Sequence, residues 1–182
     1  MRELSLHILD IIQNSIKAGA NLIEITIKEN VKKNYFIIEI SDNGEGMDAE
    51  VKSQVTDPFV TSRKTRNVGL GLSLLKAAVE RCEGEMIIDS IPGKGTEVQA
   101  IFRYDHIDRA PLGDIVNTIT GLIGSNPEID LIYKHIYNEN KFELNTKEIR
   151  KELENIRLTH TRVLNWIKNY LEENLKNIRG GE

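Results

Sequence analysis

The stretch that decides the fold is Tyr35-Phe-Ile-Ile-Glu-Ile-Ser-Asp-Asn-Gly-Glu-Gly46. Its first seven residues are rich in β-branched and aromatic side chains, which predicts a strand over residues 35–41. Residues 22–28, Leu-Ile-Glu-Ile-Thr-Ile-Lys, alternate between apolar and polar side chains, and the polar segment 29–34 separates the two stretches. Together they predict a hairpin whose second strand ends in a glycine-rich turn.

The flanking segments predict a layer of helices beside this hairpin. Residues 3–18 repeat their apolar side chains with a period near 3.6, which predicts an amphipathic helix that Gly19 ends. A short helix is expected at 48–55, a longer one at 71–82, and two strands at 85–91 and 96–104. We therefore expect an α/β (α+β) two-layer sandwich with a mixed, mostly antiparallel sheet and helices on one face.

The pattern changes after Tyr104. Residues 105–112 resemble a linker, and a helix at 113–123, a hairpin of 130–138 with 141–144, and helices at 145–157 and 161–178 follow. We predict one domain at 1–104 and a small, mainly helical C-terminal extension at 105–182. We expect some of its apolar side chains to pack on the first domain and the rest to form a partner or dimer surface; they are Leu153, Ile156, Val163, Leu164, Trp166, Ile167, Tyr170 and Leu171.

Composition excludes several classes of function. The chain has 182 residues and a net charge of -4, so we expect no nucleic-acid partner. Its apolar runs are only a few residues long, which predicts a cytoplasmic protein without a membrane segment. The single cysteine, Cys82, excludes an intramolecular disulfide and a multi-cysteine zinc site.

The first helix carries polar side chains suited to nucleotide chemistry. His7, Asp10, Asn14 and Lys17 fall within an arc of about 80° on a helical wheel. Asn14 offers a neutral oxygen to Mg²⁺, which takes few protein ligands beside phosphates and water. Asp10 is a candidate general base, and Lys17 a candidate for neutralising phosphate charge. The alternative is a solvated face with ordinary i,i+4 pairs.

Two glycine-containing turns could approach a nucleotide base. Asp42 ends a strand and offers an acceptor to the exocyclic amine of a purine, while Gly44 and Gly46 allow the backbone to come close. In Gly93-Lys-Gly-Thr96, the hydroxyl of Thr96 could join a polar network beneath the base. The alternative for both segments is a simple turn between strands.

A third segment resembles a phosphate lid. Thr61-Ser-Arg-Lys-Thr-Arg66 combines hydroxyls with three cations, and Ser62 and Lys64 are the candidate ligands within it. Gly69-Leu70-Gly71 then opens a helix, whose free N–H groups attract anions. The alternative is a charged, solvated loop.

The order and spacing of these segments resemble the Bergerat-fold (GHKL) ATPases, which include DNA gyrase, heat-shock chaperones, histidine kinases and MutL. The resemblance covers residues 3 to about 103. Asn14-Ser-Ile-Lys-Ala-Gly-Ala20 is similar to MutL. Asp57-Pro-Phe-Val-Thr-Ser-Arg-Lys64, Val68-Gly-Leu-Gly-Leu-Ser73 and Gly84-Glu-Met-Ile-Ile-Asp-Ser90 instead resemble the catalytic domain of histidine kinases, which we take as the nearest branch.

The resemblance implies ATP and Mg²⁺ as ligands and assigns roles to the matching residues. It implies that Asn14 binds Mg²⁺, that Asp42 binds the adenine amine and that Lys17 contacts phosphate. It places Gly44 and Gly46 in the adenine pocket, Gly69 and Gly71 in the lid, and Thr96 beside the adenine. Asp10 stands where MutL-like enzymes and some kinases have a glutamate base, and it is one methylene shorter.

The resemblance also leaves three functions open. The four histidines have no phosphoacceptor motif around them, so we expect each at the surface or at the site wall; they are His7, His106, His135 and His160. The leading hypothesis is a histidine-kinase-like protein that passes the γ-phosphoryl to a partner protein or to water. The alternatives are a nucleotide-dependent binding module similar to anti-sigma factors and a MutL- or gyrase-like ATPase that dimerises as its lid closes.

Overall fold

A computed structural model describes residues 3–55 and 71–180. The elements are α1 Leu4–Lys17, β1 Leu22–Asn30, β2 Tyr35–Asp42, α2 Ala49–Val55, α3 Gly71–Arg81, β3 Glu85–Ile91, β4 Gly95–Arg103, α4 Ile115–Ser125, β5 Asp130–Tyr137, β6 Asn140–Asn145, α5 Thr146–Leu153 and α6 Thr161–Ile178.

The described strands form one six-stranded sheet in the order β3-β4-β2-β1-β5-β6. The β1–β5 pair is parallel, and the other four neighbouring pairs are antiparallel. The predicted mixed, mostly antiparallel sheet is therefore confirmed.

Side chains alternate across the sheet, and one face carries the core. In β1, Ile23, Ile25 and Ile27 are fully buried, whereas the residues between them are partly exposed. On the outer face Lys28 forms an ion pair with Glu39 of β2 across 2.7 Å. Because the apolar positions share one face, the helices pack there and the opposite face stays polar, as predicted.

The chain after residue 104 continues the same sheet. β5 lies beside β1, with Ile25 opposite the fully buried Tyr133. The segment before α4 is tied to the start of α1, because the amide of Leu4 donates to the carbonyl oxygen of Pro111 across 3.0 Å. The predicted boundary falls at the end of β4, and the strands on its two sides belong to one sheet.

One expectation for the C-terminal helices needs correction. The helix predicted at 145–157 ends at Leu153, because Glu154 has a positive φ of 49°. On α6, the side chains of Val163, Ile167 and Leu171 are buried, whereas Trp166 is 52% exposed. The apolar set thus divides between the core and the surface.

Candidate functional site

A cavity of about 210 Å³ lies between α1, the end of β2 and the start of α3. We call it the α1 cavity. Its described lining consists of Ile11, Asn14, Ser15, Lys17, Ala18, Asp42, Glu45, Gly46, Met47, Val51, Leu72, Thr96 and Val98. Five of the predicted site residues meet here from three separate segments of the chain: Asn14, Lys17, Asp42, Gly46 and Thr96.

The carboxylate of Asp42 is fixed by two hydrogen bonds. Ser15 donates from its hydroxyl to Oδ2 across 2.6 Å, and the backbone N–H of Gly44 donates to Oδ1 across 2.8 Å. Each carboxylate oxygen can accept a further bond, so Asp42 keeps acceptor capacity for a ligand. The side chain is half-buried at the cavity wall.

The turn after Asp42 requires glycine. Gly46 has a φ of +68°, and an added Cβ would collide with the carbonyl oxygen of Ile91. The turn is bonded on both sides: the amide of Glu45 donates to the carbonyl oxygen of Ala18, and its own carbonyl oxygen accepts from Gly93. Gly44 is buried beside Asp42 and is not among the described residues that line the cavity.

Thr96 belongs to a small polar network at the cavity floor. It lies opposite Asp42 in the β2–β4 register and opposite Ser90 in the β3–β4 register. Its hydroxyl is 2.8 Å from the hydroxyl of Ser90, which also accepts from the backbone N–H of Met47 across 2.8 Å. The network therefore joins the sheet to the turn that leads into α2.

Asp10 lies one turn before Asn14 on α1, at the junction with α3. A Cβ added to Gly71 would lie 2.9 Å from the Cβ of Asp10, so the first residue of α3 packs directly on this side chain. Asp10 is half-buried and is not among the described residues that line the cavity. The structure thus places the candidate base beside the end of the predicted lid.

The expectation that each histidine lies at the surface or at the site wall was wrong for two of them. His7 is 2% exposed, and its Nδ1 has no hydrogen-bond partner among the described residues; burial lowers its pKa. His135 is fully buried at the other end of the sheet, where it contacts Tyr133 and Glu29. Alternation along β5 could have predicted the second case, since Leu131, Tyr133 and His135 share a face.

The remaining predicted ligands lie outside the described residues: Ser62, Lys64, Gly69 and Leu70. Within residues 3–55 and 71–180, no three His, Cys, Asp or Glu side chains cluster as a metal site. No helix of that same part is long and apolar enough to cross a membrane.

Sequence reasoning missed Ser15 and Ser90 as contributors to the site. Ser15 directly follows Asn14 and interrupts the apolar stripe of α1, which is a usable signal for a buried hydroxyl with a polar partner. Ser90 carries no comparable signal, because its role depends on the pairing of β3 with β4.

The model of the histidine kinase-, DNA gyrase B-, and HSP90-like ATPase family matches residues 2–106. The chain belongs to this family. A putative sensor protein of Shewanella frigidimarina is 38% identical over 97 residues, covering 52% of this chain and 15% of that protein. Sporulation kinase C of Bacillus subtilis is 32% identical over 93 residues, covering 51% of this chain and 22% of the kinase.

Solved structures match over more of the chain. The Aquifex aeolicus MutL ATPase domain complexed with ADP has a TM-score of 0.50 at 13% identity, covering 85% of this chain and 68% of that one. The N-terminal domain of a DNA repair protein has a TM-score of 0.56 at 17% identity, covering 99% of this chain and 57% of that one. At these identities the structures show a shared fold.

Relatives in sequence indicate the branch of the family. Several are sensor or sporulation kinases, including the sensor protein kinase WalK of Staphylococcus haemolyticus at 31% identity over 106 residues. The chain spans under a quarter of the length of these curated relatives. It therefore carries an ATP-binding domain of the histidine kinase type.

Proposed function

We propose that this protein binds Mg-ATP in the α1 cavity and passes the γ-phosphoryl group to a partner protein or to water. The observation that carries the proposal is the oriented carboxylate of Asp42 in a cavity also lined by Asn14 and Lys17. Membership of an ATPase family supports ATP as the ligand.

The cavity fits an adenine ring. Ile11, Leu72 and Val98 supply apolar walls, and Asp42 supplies a carboxylate held by two hydrogen bonds. A carboxylate accepts a hydrogen bond from the exocyclic amine of adenine, whereas guanine has a carbonyl oxygen at that position. Two acceptors facing each other repel, so we expect ATP to bind more tightly than GTP.

Asn14 fits a magnesium ion that arrives with its nucleotide. Mg²⁺ retains several waters and takes one or two protein oxygens beside the phosphates, so one amide oxygen is a sufficient protein contribution. When bound, the ion would neutralise phosphate charge. Lys17, exposed one turn further along α1, would add a second positive charge.

Asp10 would act on the group that attacks the γ-phosphoryl. Its carboxylate can accept the proton of a hydroxyl or a water, and contact with Gly71 limits its movement. Phosphoryl transfer depends mainly on positioning and charge stabilisation, so loss of this base should slow turnover more than it weakens binding.

Nucleotide binding is tested with two variants that each replace an aspartate with asparagine. Asp42→Asn replaces one acceptor oxygen with a donor, and we expect ATP affinity to fall by about 100-fold or more. Asp89→Asn is the control, because Asp89 is exposed on β3 and pairs with Lys52. Calorimetric titration with ATP and GTP measures both; an Asp42→Asn protein with wild-type ATP affinity would exclude this cavity as the adenine site.

The magnesium role needs a separate measurement. Asn14→Ala should remove the gain in ATP affinity that Mg²⁺ gives over EDTA, whereas Gln13→Ala, an exposed neighbour on α1, should retain it. If Mg²⁺ strengthens ATP binding equally in both variants, Asn14 is not the ligand.

Turnover separates the kinase or ATPase proposal from a regulatory binding module. We expect phosphate release or labelling of a partner from γ-labelled ATP, and a strong reduction of either in Asp10→Asn with little change in ATP affinity. Tight ATP binding without turnover in the wild type would instead support a module whose nucleotide state controls a partner.

A further inference from the structure

A second cavity lies at the end of the sheet opposite the α1 cavity. It has a volume of about 420 Å³, and the side chains that matter for the argument are Glu29, Phe36, Arg109, His135 and Arg179. We call it the distal cavity. Phe36 pairs with Glu29 in the β1–β2 register, six residues along β2 from Asp42, which corresponds to about 20 Å.

Arg109 is held at one wall by a carbonyl group and two aromatic rings. Its Nε donates to the carbonyl oxygen of Tyr104 across 2.7 Å. The guanidinium carbon lies 4.8 Å from the ring centroid of Phe36 and 4.9 Å from that of Tyr104. These contacts fix the plane of the guanidinium, while no ion pair among the described residues includes it.

The terminal nitrogens of Arg109 retain binding capacity. Within the part of the chain that the structure describes, no hydrogen bond uses its two NH₂ groups, which together provide four N–H donors. The side chain is half-buried, and its guanidinium is planar. Arg109 is therefore a cation held in place, and its terminal N–H groups have no acceptor among the described residues.

On the opposite wall the charged side chains, Glu29 and Arg179, form an ion pair. Glu29 is 5% exposed, and its Oε1 accepts from Nε2 of His135 across 2.8 Å and from a terminal nitrogen of Arg179 across 2.6 Å. The Nδ1 of His135 is 2.7 Å from the phenol oxygen of Tyr133, so both ring nitrogens are engaged. The charges of Glu29 and Arg179 offset each other.

Asp114 is the other acid of the lining, and it serves as the N-cap of α4. Its Oδ1 accepts from the backbone N–H of Asn117 across 2.9 Å, where a negative charge is stabilised by the helix dipole. Among the described residues of the lining, Arg109 is thus the charged side chain with neither an ion-pair partner nor a capping role. Its remaining wall is apolar and includes Leu112, Ile115 and Leu175.

We propose that the distal cavity binds a small organic monocarboxylate. The carboxylate would accept two parallel hydrogen bonds from Arg109, and the apolar body of the ligand would lie against Leu112, Ile115 and Leu175. The volume lies within the range of small-molecule sites. A ligand there would bridge the segment after β4 to α6, and it would stabilise the folded chain by mass action.

The test uses benzoate and benzamide, which share a ring and differ in charge. We expect benzoate to raise the melting temperature in a concentration-dependent manner and benzamide to leave it unchanged. Arg109→Gln should abolish the benzoate effect. Arg103→Gln should retain it, because Arg103 is exposed and pairs with Asp105 and Glu83 outside the cavity.

If Arg109→Gln does not fold, a measurement on the wild type alone still tests the proposal. In ¹H–¹⁵N spectra, benzoate should shift the Nε signal of Arg109 and the amides of Leu112 and Ile115, while the amide of Gly44 stays unshifted. Equal stabilisation by benzamide, an undiminished benzoate effect in Arg109→Gln, no effect at all, or shifts centred on the α1 cavity would each overturn the proposal.

Discussion

The hydroxyl of Ser15 donates a 2.6 Å hydrogen bond to Oδ2 of Asp42, which joins the middle of α1 to the end of β2. The amide of Gly44 holds the other carboxylate oxygen across 2.8 Å. Ser15 is 4% exposed, so the bond to the carboxylate is shielded from water on the helix side. The orientation of Asp42 therefore depends on a residue of the first helix.

Replacing Ser15 with alanine should weaken ATP binding without unfolding the protein. A hydrogen bond to a charged acceptor contributes about 1.5 to 3 kcal/mol, and part of that holds Asp42 in its binding orientation. We expect ATP affinity to fall by about tenfold. Calorimetric titration of Ser15→Ala measures the effect.

The matched control is Ser5→Ala on the same helix. Ser5 is also buried, at 1% exposure, but its hydroxyl lies 3.4 Å from Oε2 of Glu3, outside the α1 cavity. Its ATP affinity should equal that of the wild type. Equal losses in the two variants would assign the effect to α1 stability in general and not to the Asp42 carboxylate.

Gly46→Ala should destabilise the fold. The residue has a φ of +68°, and a new Cβ would collide with the carbonyl oxygen of Ile91. We expect the free energy of unfolding to fall by about 2 kcal/mol or more, as measured by urea denaturation.

Gly121→Ala is the control substitution for this effect. Gly121 is exposed in α4, and a Cβ there would meet no atom within 4 Å. Alanine favours the helical conformation, so this variant should gain up to about 1 kcal/mol. If Gly46→Ala were as stable as Gly121→Ala, the turn would not require a positive φ.

Much of the sheet was predictable from local patterns. The alternation of Ile23, Ile25 and Ile27 predicts one buried face of β1, and the structure confirms this prediction. The place of β5 was not predictable this way, because parallel pairing beside β1 joins residues more than 100 positions apart. Periodicity indicates which face of a strand is buried but not which strand lies next to it.

The candidate site likewise contains residues that local sequence patterns predict and contacts that depend on tertiary packing. Asp42 and Gly46 were found because a strand that runs into a glycine turn is a local signal. The contact of Ser15 with Asp42 spans 27 positions, and a serine in a helix can equally donate to the carbonyl oxygen four residues earlier. Tertiary packing decides between these partners.

Glu29→Gln should cost about 2 to 3 kcal/mol at neutral pH. Burial alone would raise the pKa of Glu29, but hydrogen bonds from His135 and Arg179 outweigh burial and hold the pKa below its usual value. Glutamine removes the charge that both partners face; because Arg179 is 47% exposed, the cost should stay below the roughly 3 to 5 kcal/mol of breaking a fully buried pair. Denaturant unfolding at neutral pH measures the change.

Glu24→Gln tests whether that cost comes from burial. Glu24 lies on the outer face of the same strand and pairs with Lys134 across 3.5 Å. Its side chain is 42% exposed, so the loss should stay within about 0.5 kcal/mol. Similar losses in both variants would show that the Glu29 network contributes no more than a surface ion pair.

His7 should make the fold less stable as the pH falls below its ordinary pKa. Burial lowers the pKa of His7 from 6.5, with Arg81 adding to the shift and Asp10 opposing it. The unfolded chain therefore binds a proton at a higher pH than the folded one, and stability rises with pH within that window. Well above 6.5 neither state is protonated at this residue, so the effect disappears there. In His7→Gln the side chain does not titrate, so the unfolding free energy should fall by less between about pH 7 and 5.5 than it does in the wild type.

Urea titrations of both proteins across that range measure how steeply the unfolding free energy depends on pH. The same dependence in both proteins would show that His7 gains its proton equally in the folded and unfolded states.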